Sequence, residues 1–232
     1  GTRLRVVVGL IVGGSVLAVA VPAAAAAGST AYFTQLSNAP AYLHGGGVAA
    51  PLPNGEVLIA GGVGDSDNVI QGAELFDPTN NTFTALAENP GTELTTPRYG
   101  AVAAPLPNGE ILIAGGVDAS FNPLQSAELF NPVTDTFTAL TASGNTELQI
   151  AREYAVAAPL PDGDVLIAGG QNNSGCQPSA ELFDSSSDTF TELPASGATE
   201  LQSCLASAAA APLPSGEVLI VGGGSPAEPV SY

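Results

Sequence analysis

Hydrophobic residues along the chain form short runs that are separated by turn residues. The run EILIAGG at 110–116 is apolar on both faces of an extended strand, which is typical of a strand buried within a stack of sheets. It is joined to the preceding run, YGAVAAPL at 99–106, by PNG, which supplies a proline and a residue tolerant of positive φ, as a tight hairpin needs. SAELF at 126–130 and TFTAL at 136–140 mix polar and apolar residues, so we expect outer strands there. The pattern predicts one antiparallel sheet of four strands.

The same pattern recurs along the chain. The phrase PLPxG begins at positions 51, 105, 159 and 212, so its copies are 54, 54 and 53 residues apart. Phrases close to SAELF and TFTAL keep step with it through the first three copies. Four-stranded units at this period predict an all-β fold, a β-propeller with about four blades in this chain. We place the propeller at 28–232, with units over about 42–97, 98–151 and 152–204 and an incomplete unit over 205–232.

Each unit ends its second strand with a glycine pair, and each complete unit has one phenylalanine in each of its last two strands. The glycine pairs are Gly61 with Gly62, Gly115 with Gly116, Gly169 with Gly170, and Gly222 with Gly223. The phenylalanine pairs are Phe76 with Phe83, Phe130 with Phe137, and Phe183 with Phe190. This combination resembles the kelch repeat over about 42–232, although that family usually has tyrosine and tryptophan where phenylalanine stands here. The resemblance implies a β-propeller built of four-stranded kelch-like blades.

The number of blades has two interpretations. AYFTQL at 31–36 is similar to TFTAL, so it predicts a lone fourth strand that would complete the last blade of a closed four-bladed propeller. The last unit, however, stops after GGGSPAEPVSY, where its third strand would begin, and the chain has no initiator methionine. These ends favour the second interpretation, in which the chain is the front part of a larger propeller. Kelch-like propellers usually have six or seven blades.

The chain is strongly acidic, with 22 acidic residues, four arginines and a formal net charge of -18. Such a surface repels phosphate backbones, so we expect no nucleic-acid partner. Residues 1–27 place two arginines before an apolar stretch and an alanine run, which predicts a secretory signal peptide or an uncleaved N-terminal anchor. We expect a secreted or cell-surface protein that touches a membrane only through this segment.

Two loops of each unit are expected on one face, because antiparallel strands alternate in direction. One loop joins the second and third strands, and the other leads from the fourth strand to the next unit. Cys176 lies in a loop of the first kind and Cys204 in one of the second kind, which predicts a disulfide between neighbouring units. Asp65, Asp67 and Asn68 offer alternating oxygen ligands in a loop of the first kind, and we consider them a candidate calcium site. We expect no other cofactor.

Arg98 and Arg152 occupy the same place in successive units, seven residues before PLP, and His44 stands there in the first unit. This place is at the start of the innermost strand, so we expect the side chains to face a central channel or its mouth. There the arginines either grip an anionic ligand or pair with an acid of the fold. The acids considered as partners are Glu93, Glu147, Glu128 and Glu153.

Other acids recur with the repeat itself. Glutamate occupies the same place in the third strand of each complete unit, at Glu74, Glu128 and Glu181. A catalytic site normally needs one set of unlike residues, so repetition in every unit indicates an architectural role.

Three functions remain open at this stage. The first is a secreted or cell-surface scaffold that binds a protein or carbohydrate ligand through its loops, since the loop after the glycine pair differs in every unit. The second is the leading part of an enzyme similar to galactose oxidase, whose copper site needs two histidines; this chain has only His44. The third is a structural repeat module of a larger surface protein. We expect no enzyme activity and no catalytic residues in this chain.

Overall fold

The structure is a computed structural model that describes residues 5–8, 32–36, 38–141, 144–194, 201 and 205–224. Every regular element in this part of the chain is a β-strand. The described residues contain no helix that is long and apolar enough to cross a membrane. The prediction of an all-β protein is confirmed.

Two strands precede the repeats. Strand β1 (Arg5–Val8) pairs in parallel with β2 (Tyr32–Gln35). Strand β2 therefore exists where the sequence predicts one, at 31–36, but its partner is β1, and it does not complete the sheet of the last unit. The rest of the predicted signal segment, 1–27, lies outside the described residues.

Three antiparallel sheets of four strands follow, one for each complete unit, and we name them sheets I, II and III. Sheet I contains β3 (Val48–Pro51), β4 (Val57–Ala60), β5 (Ala73–Asp77) and β6 (Thr82–Ala85). Sheet II contains β7 (Val102–Pro105), β8 (Ile111–Ala114), β9 (Ala127–Asn131) and β10 (Thr136–Ala139). Sheet III contains β11 (Val156–Pro159), β12 (Val165–Ala168), β15 (Ala180–Asp184) and β16 (Thr189–Glu192), with a small hairpin of β13 (Gln171–Asn172) and β14 (Gly175–Cys176) in its loop.

A pair of strands stands where the fourth unit begins. Strands β17 (Ala206–Pro212) and β18 (Val218–Gly224) form an antiparallel hairpin, which we name sheet IV. In all four sheets the first two strands are joined at the repeated PLPxG turn. In sheets I to III the spatial order of the strands follows the sequence, as in a blade.

The third strand of each sheet differs from its prediction. SAELF was expected to form an outer strand because it mixes polar and apolar residues, but Ala127, Glu128, Leu129 and Phe130 are all buried. This strand lies between β8 and β10, and neighbouring sheets cover it. The prediction was wrong for burial, because a strand that mixes polar and apolar residues can be buried where its polar side chain has partners within the fold. TFTAL is an outer strand as predicted, and its last two residues in β10 are exposed.

The sheets stack face to face in chain order. We name the side of a sheet that packs on the next sheet its forward face, and the opposite side its rear face. Between sheets I and II, forward-face residues such as Leu58 and Ala60 pack against Ile113, Phe130 and Phe137 on the rear face of sheet II. The forward face of sheet II packs on sheet III in the same way, and that of sheet III packs on β17 and β18. The apolar core is therefore a series of layers between sheets.

Backbone hydrogen bonds join the sheets along the edges at which their first strands lie, which we name the inner edges. The N–H of Gly100 donates to the carbonyl of Gly46, Tyr154 to Gly100, and Ser207 to Tyr154, at 2.8–3.0 Å. All four residues have positive φ, between 53° and 66°. One equivalent residue from each sheet thus joins a single ladder that runs from sheet I to sheet IV.

The glycine pairs dock each sheet on the next. The N–H of Gly62 donates to the carbonyl of Arg98 at 2.6 Å, and a Cβ on Gly61 would lie 2.5 Å from the same oxygen. Gly115 and Gly116 repeat this contact with the carbonyl of Arg152. The pairs are therefore required by close approach between sheets.

Candidate functional site

The two kinds of loop that were expected on one face do contact each other. In sheet I, Gln71 lies in the loop between the second and third strands and Leu94 in the loop that leads to sheet II. The N–H of Leu94 donates to the carbonyl of Gln71 at 3.1 Å, and the Gln71 side-chain amide donates to the carbonyl of Leu94 at 2.6 Å. Gln125 and Leu148 repeat the arrangement in the next unit. We name the side of the molecule that carries these loops the loop face.

A cleft of about 420 Å³ opens on the loop face at sheet I. Its walls come from the loop 64–72, from the segment that precedes β3, and from the loop that follows β6. The polar side chains in its lining are those of Tyr42, Asp65, Ser66, Asn68, Gln71, Glu88 and Glu93. Three carboxylates and no basic side chain line the cleft, so it favours ligands that donate hydrogen bonds or carry positive charge.

Tyr42 is fixed at the edge of this cleft. Its hydroxyl donates to Glu88 Oε1 at 2.7 Å. This hydrogen bond, together with burial and nearby carboxylates, raises the pKa of Tyr42 to about 12. The hydroxyl is therefore protonated at neutral pH, and the ring presents an aromatic surface beside the acidic groups.

The structure does not place all three residues of the candidate calcium site in the cleft. Asp65 and Asn68 line the cleft, whereas Asp67 lies in the tight turn of the same loop, with φ 57°. In the part of the chain that the structure describes, no group of three or more His, Cys, Asp and Glu side chains is placed to hold a metal ion. The calcium site stays a prediction.

Arg98 lies inside sheet II and not at a channel. Its side chain is 1% exposed, and it forms an ion pair with Glu128, with Nη2 at 2.9 Å and Nε at 3.1 Å from Oε1. Its other N–H groups donate to the carbonyls of Gly115 and Ser126 and to the Ser126 hydroxyl. All five guanidinium donors therefore have acceptors within the sheet. The side chain therefore pairs with an acid of the fold, which is one of the two roles that the sequence left open for it.

Arg152 repeats the network in sheet III. It is 1% exposed and pairs with Glu181 at 3.1 Å, and its remaining donors reach Gly169 and Ser179. Burial lowers the pKa of both arginines, and the paired carboxylates oppose that shift. Of the four acids considered as partners from the sequence, only Glu128 forms such a pair. No donor of either arginine remains for a ligand.

The glutamates also hold backbone groups. Glu128 accepts from the N–H groups of Thr95 and Thr96 at 2.7 and 3.1 Å. Glu74 and Glu181 accept in the same way from the segments that precede the first strands of their own sheets. Each carboxylate thus joins the third strand of its sheet to the segment that precedes the first strand, which explains why it recurs in every complete unit.

His44 takes the place of arginine in sheet I. Nδ1 lies 2.6 Å from the carbonyl oxygen of Gly61, and Nε2 lies 3.1 Å from Glu74 Oε1. Gly72 stands where the other sheets have serine, and a Cβ there would lie in tight contact with the Tyr42 ring, at 3.1–3.2 Å. Sheet I therefore has a smaller version of the same network.

This network predicts a pH dependence. Burial would raise the pKa of Glu74, but hydrogen bonds from His44 and from the N–H groups of Ala41 and Tyr42 lower it overall. A carboxyl whose pKa is lowered by folding stabilises the fold fully above its unfolded pKa of about 4.3, and this stabilisation is lost as the pH falls through the folded value. We expect Glu74→Gln to destabilise the protein at about pH 6 and to have a smaller effect at about pH 3. Urea unfolding at both pH values measures the two differences.

The matched control for this test is Glu217→Gln, which makes the same change at an exposed hairpin turn. Its effect should be small at both pH values. An effect of Glu74→Gln that stays constant or grows as the pH falls would contradict the assignment.

Two tyrosines that the sequence did not single out lie at the inner edges of the sheets. The rings of Tyr99 and Tyr154 meet edge to face, with centroids 5.6 Å apart. Burial and a hydrogen bond with Tyr99 raise the pKa of Tyr154. Tyr154 has φ 53°, a conformation that bulky residues rarely adopt. The sequence places both tyrosines just after the arginine position of their units, but nothing in it showed that the two rings would be in contact.

Cys176 lies in β14, on the loop of sheet III, and it is disulfide-bonded. Its predicted partner, Cys204, lies outside the described residues. The pairing of Cys176 with Cys204 therefore stays a prediction.

In comparisons with known proteins, no protein-family model matches the chain and no curated protein matches it.

Proposed function

We propose that the chain is a kelch-type β-propeller, secreted or displayed at the cell surface, that binds a protein or carbohydrate ligand through its loop face. The cleft at sheet I carries this proposal. Its loop at 64–70 is a segment in which the units differ, while Gln71 and Glu93 in its lining recur in the next unit as Gln125 and Glu147. A frame that repeats and loops that vary are typical of a binding scaffold.

Three features support the propeller and its kelch-type repeat. The repeat gives stacked four-stranded sheets with a hydrogen-bonded ladder along their inner edges. The glycine pairs lie at the contacts between sheets. The phenylalanine pairs meet within each complete sheet, with ring centroids 4.8–4.9 Å apart.

The chemistry of the cleft favours a ligand rich in hydrogen-bond donors. Carboxylates, an amide and a tyrosine ring are the groups that bind sugar hydroxyls and the apolar faces of sugar rings, and they also bind basic side chains of proteins. The disulfide at Cys176 is consistent with an oxidising compartment, which supports a protein outside the cytosol.

The same geometry supports a function in binding without catalysis. His44, the only histidine of the chain, is 5% exposed, and both of its ring nitrogens are engaged within sheet I. Arg98 and Arg152 are likewise engaged in the fold. The groups that remain on the loop face bind and orient a ligand, and we assign none of them a catalytic role.

We expect Asp65→Asn to weaken ligand binding by about tenfold, the loss of one charge-assisted hydrogen bond. A panel of immobilised oligosaccharides and basic peptides would identify ligands, and calorimetry would then compare affinities. Asp162→Asn is the matched control, because Asp162 is an exposed aspartate in the hairpin turn at the opposite end of sheet III. Equal losses in the two variants, or ligands whose affinity is unchanged by Asp65→Asn, would contradict binding in the cleft.

A further inference from the structure

The charge network of sheet II places one arginine between two glutamates. Arg98 pairs with Glu128, and Glu147 acts on it from the segment that follows β10. Burial lowers the pKa of Arg98, and the charges of Glu128 and Glu147 oppose that shift. Glu147 lies in the repeated phrase TEL, and its equivalent in sheet I is Glu93.

Sheet I has the equivalent glutamates but no arginine. His44 stands in the arginine position, and its side chain pairs with Glu74 at 3.1 Å. Glu93 lines the cleft and forms no ion pair with any side chain that the structure describes. In this part of the chain, Glu93 therefore lacks the cation that its equivalent faces in sheet II.

Other carboxylates of sheet I lie close to the same place. The hydrogen bond to Glu88 is the largest cause that raises the pKa of Tyr42, and the charges of Glu88, Glu74 and Glu93 add to it. These three carboxylates therefore act together on the Tyr42 hydroxyl, at the edge of the cleft. Asp65 lines the same cleft from the loop 64–72.

These charges decide which class of ligand the cleft favours. A ligand that fills the cleft removes water from its carboxylates, and a carboxylate taken out of water is costly unless it is paired. A neutral sugar donates hydrogen bonds but supplies no charge, whereas a cationic side chain supplies both. The half-buried Tyr42 ring adds an aromatic surface of the kind on which guanidinium and ammonium groups bind.

An exposed aromatic residue in the next loop favours a protein as the source of this cation. Phe121 lies in the β8–β9 loop of sheet II, which corresponds to the loop 64–72 of sheet I, and it is 59% exposed. Stacked sheets lie about 10 Å apart, a distance that about three extended residues span. A peptide segment that places one side chain in the cleft can therefore also contact Phe121, whereas a free amine contacts only the cleft.

We propose that the cleft at sheet I binds the side chain of an arginine or lysine of a partner protein. This side chain lies between Tyr42 and the carboxylates of Asp65, Glu88 and Glu93, and neighbouring residues of the partner contact Phe121. The inference rests on the proposed function, because it assigns the ligand class of the same cleft. It selects a protein ligand over a carbohydrate.

Pools of random heptapeptides that differ only in their central residue test the ligand class. The central residue is arginine, lysine, citrulline or glutamate, and citrulline has nearly the shape of arginine without its charge. Biolayer interferometry measures binding of the full chain to each immobilised pool, at about 0.15 M salt, where attraction beyond about 8 Å is screened. We expect the arginine and lysine pools to bind at least about tenfold more tightly than the other two, the effect of one charge-assisted hydrogen bond.

Glu93→Gln tests the place of binding. It removes one carboxylate from the cleft and should weaken binding of the arginine pool by at least about tenfold. Glu217→Gln is the matched control, because it removes the same charge at an exposed hairpin turn and should leave binding nearly unchanged. Circular dichroism confirms that each variant is folded, and Asp65→Asn, at an exposed residue, gives a second test of the cleft.

Phe121→Ser tests the choice of a protein partner. It should weaken binding of the arginine pool by at least about fivefold, the effect of losing an aromatic contact at an interface. It should leave the binding of agmatine, a free amine that carries a guanidinium, unchanged. Val133→Ser is the matched control, because Val133 is 89% exposed in the β9–β10 turn at the opposite end of sheet II.

Equal binding of the arginine and citrulline pools, or equal effects of Glu93→Gln and Glu217→Gln, would overturn the proposal. So would a Phe121→Ser variant that binds like Val133→Ser, since a free organic cation would then account for the cleft. Neutral oligosaccharides of glucose or N-acetylglucosamine whose binding depends on Asp65 would overturn the proposal and leave the proposed function intact. A chain that binds none of these probes would contradict both.

Discussion

Glu128→Ala is expected to destabilise the protein by about 3–5 kcal/mol, the usual effect of removing one partner of a buried ion pair. The substitution leaves the guanidinium of Arg98, which is 1% exposed, without its carboxylate. It also removes the acceptor of the N–H groups of Thr95 and Thr96. Burying an uncompensated charge costs far more than the pair itself contributes, so the loss is large although the net contribution of the pair is small.

Denaturant unfolding followed by circular dichroism measures this change. The matched control is Glu217→Ala, since Glu217 is exposed at the hairpin turn of sheet IV, and we expect an effect within about 0.5 kcal/mol. The double variant Arg98→Met with Glu128→Leu should recover part of the loss, because it buries no charge. A Glu128→Ala variant as stable as the control would show that the network does not hold the sheet together.

Gly115→Ala is expected to destabilise the protein by about 3 kcal/mol, from backbone strain and from overlap with the next sheet. Gly115 has φ 66°, a conformation that alanine adopts only with strain. The new Cβ would also overlap the carbonyl oxygen of Arg152, which accepts from Gly116 at 2.7 Å. Either sheet II or sheet III must shift, and the carbonyl of Gly115 would then lose its hydrogen bond from Arg98.

Gly144→Ala separates these two causes. Gly144 also has positive φ, 76°, but a Cβ there would meet no atom of the described residues within 4 Å. We expect it to cost only the conformational strain of about 1–2 kcal/mol. Thermal and denaturant unfolding of both variants gives the comparison. Equal losses would mean that the contact between sheets contributes nothing beyond the strain.

Much of the architecture was predictable because several copies of the repeat support the same assignment of strands and turns. EILIAGG was expected to be a strand buried on both faces, and Ile111, Leu112, Ile113 and Ala114 are all buried in β8. The hairpin turn and the four strands of a unit also followed from the pattern. A single copy could not have established any of these, whereas copies in register leave few alternatives.

The candidate site was less predictable, for physical reasons that particular residues make clear. Arg98 was expected at a channel because its position precedes the innermost strand. The direction of its side chain depends instead on Glu128, with which it forms an ion pair. Glu128 was assigned to an outer strand because SAELF mixes polar and apolar residues, and its burial depends on Arg98, a partner that lies 30 residues away. The meeting of Tyr99 with Tyr154 likewise depends on how two sheets stack.

The sequence by itself determined the all-β class, the four-stranded unit and the place of each strand, because hydrophobic period and turn residues act over a few neighbouring positions. Only the tertiary structure decided which charges are buried and which loops form the cleft. Those properties depend on contacts between units, where a residue meets a partner tens of positions away.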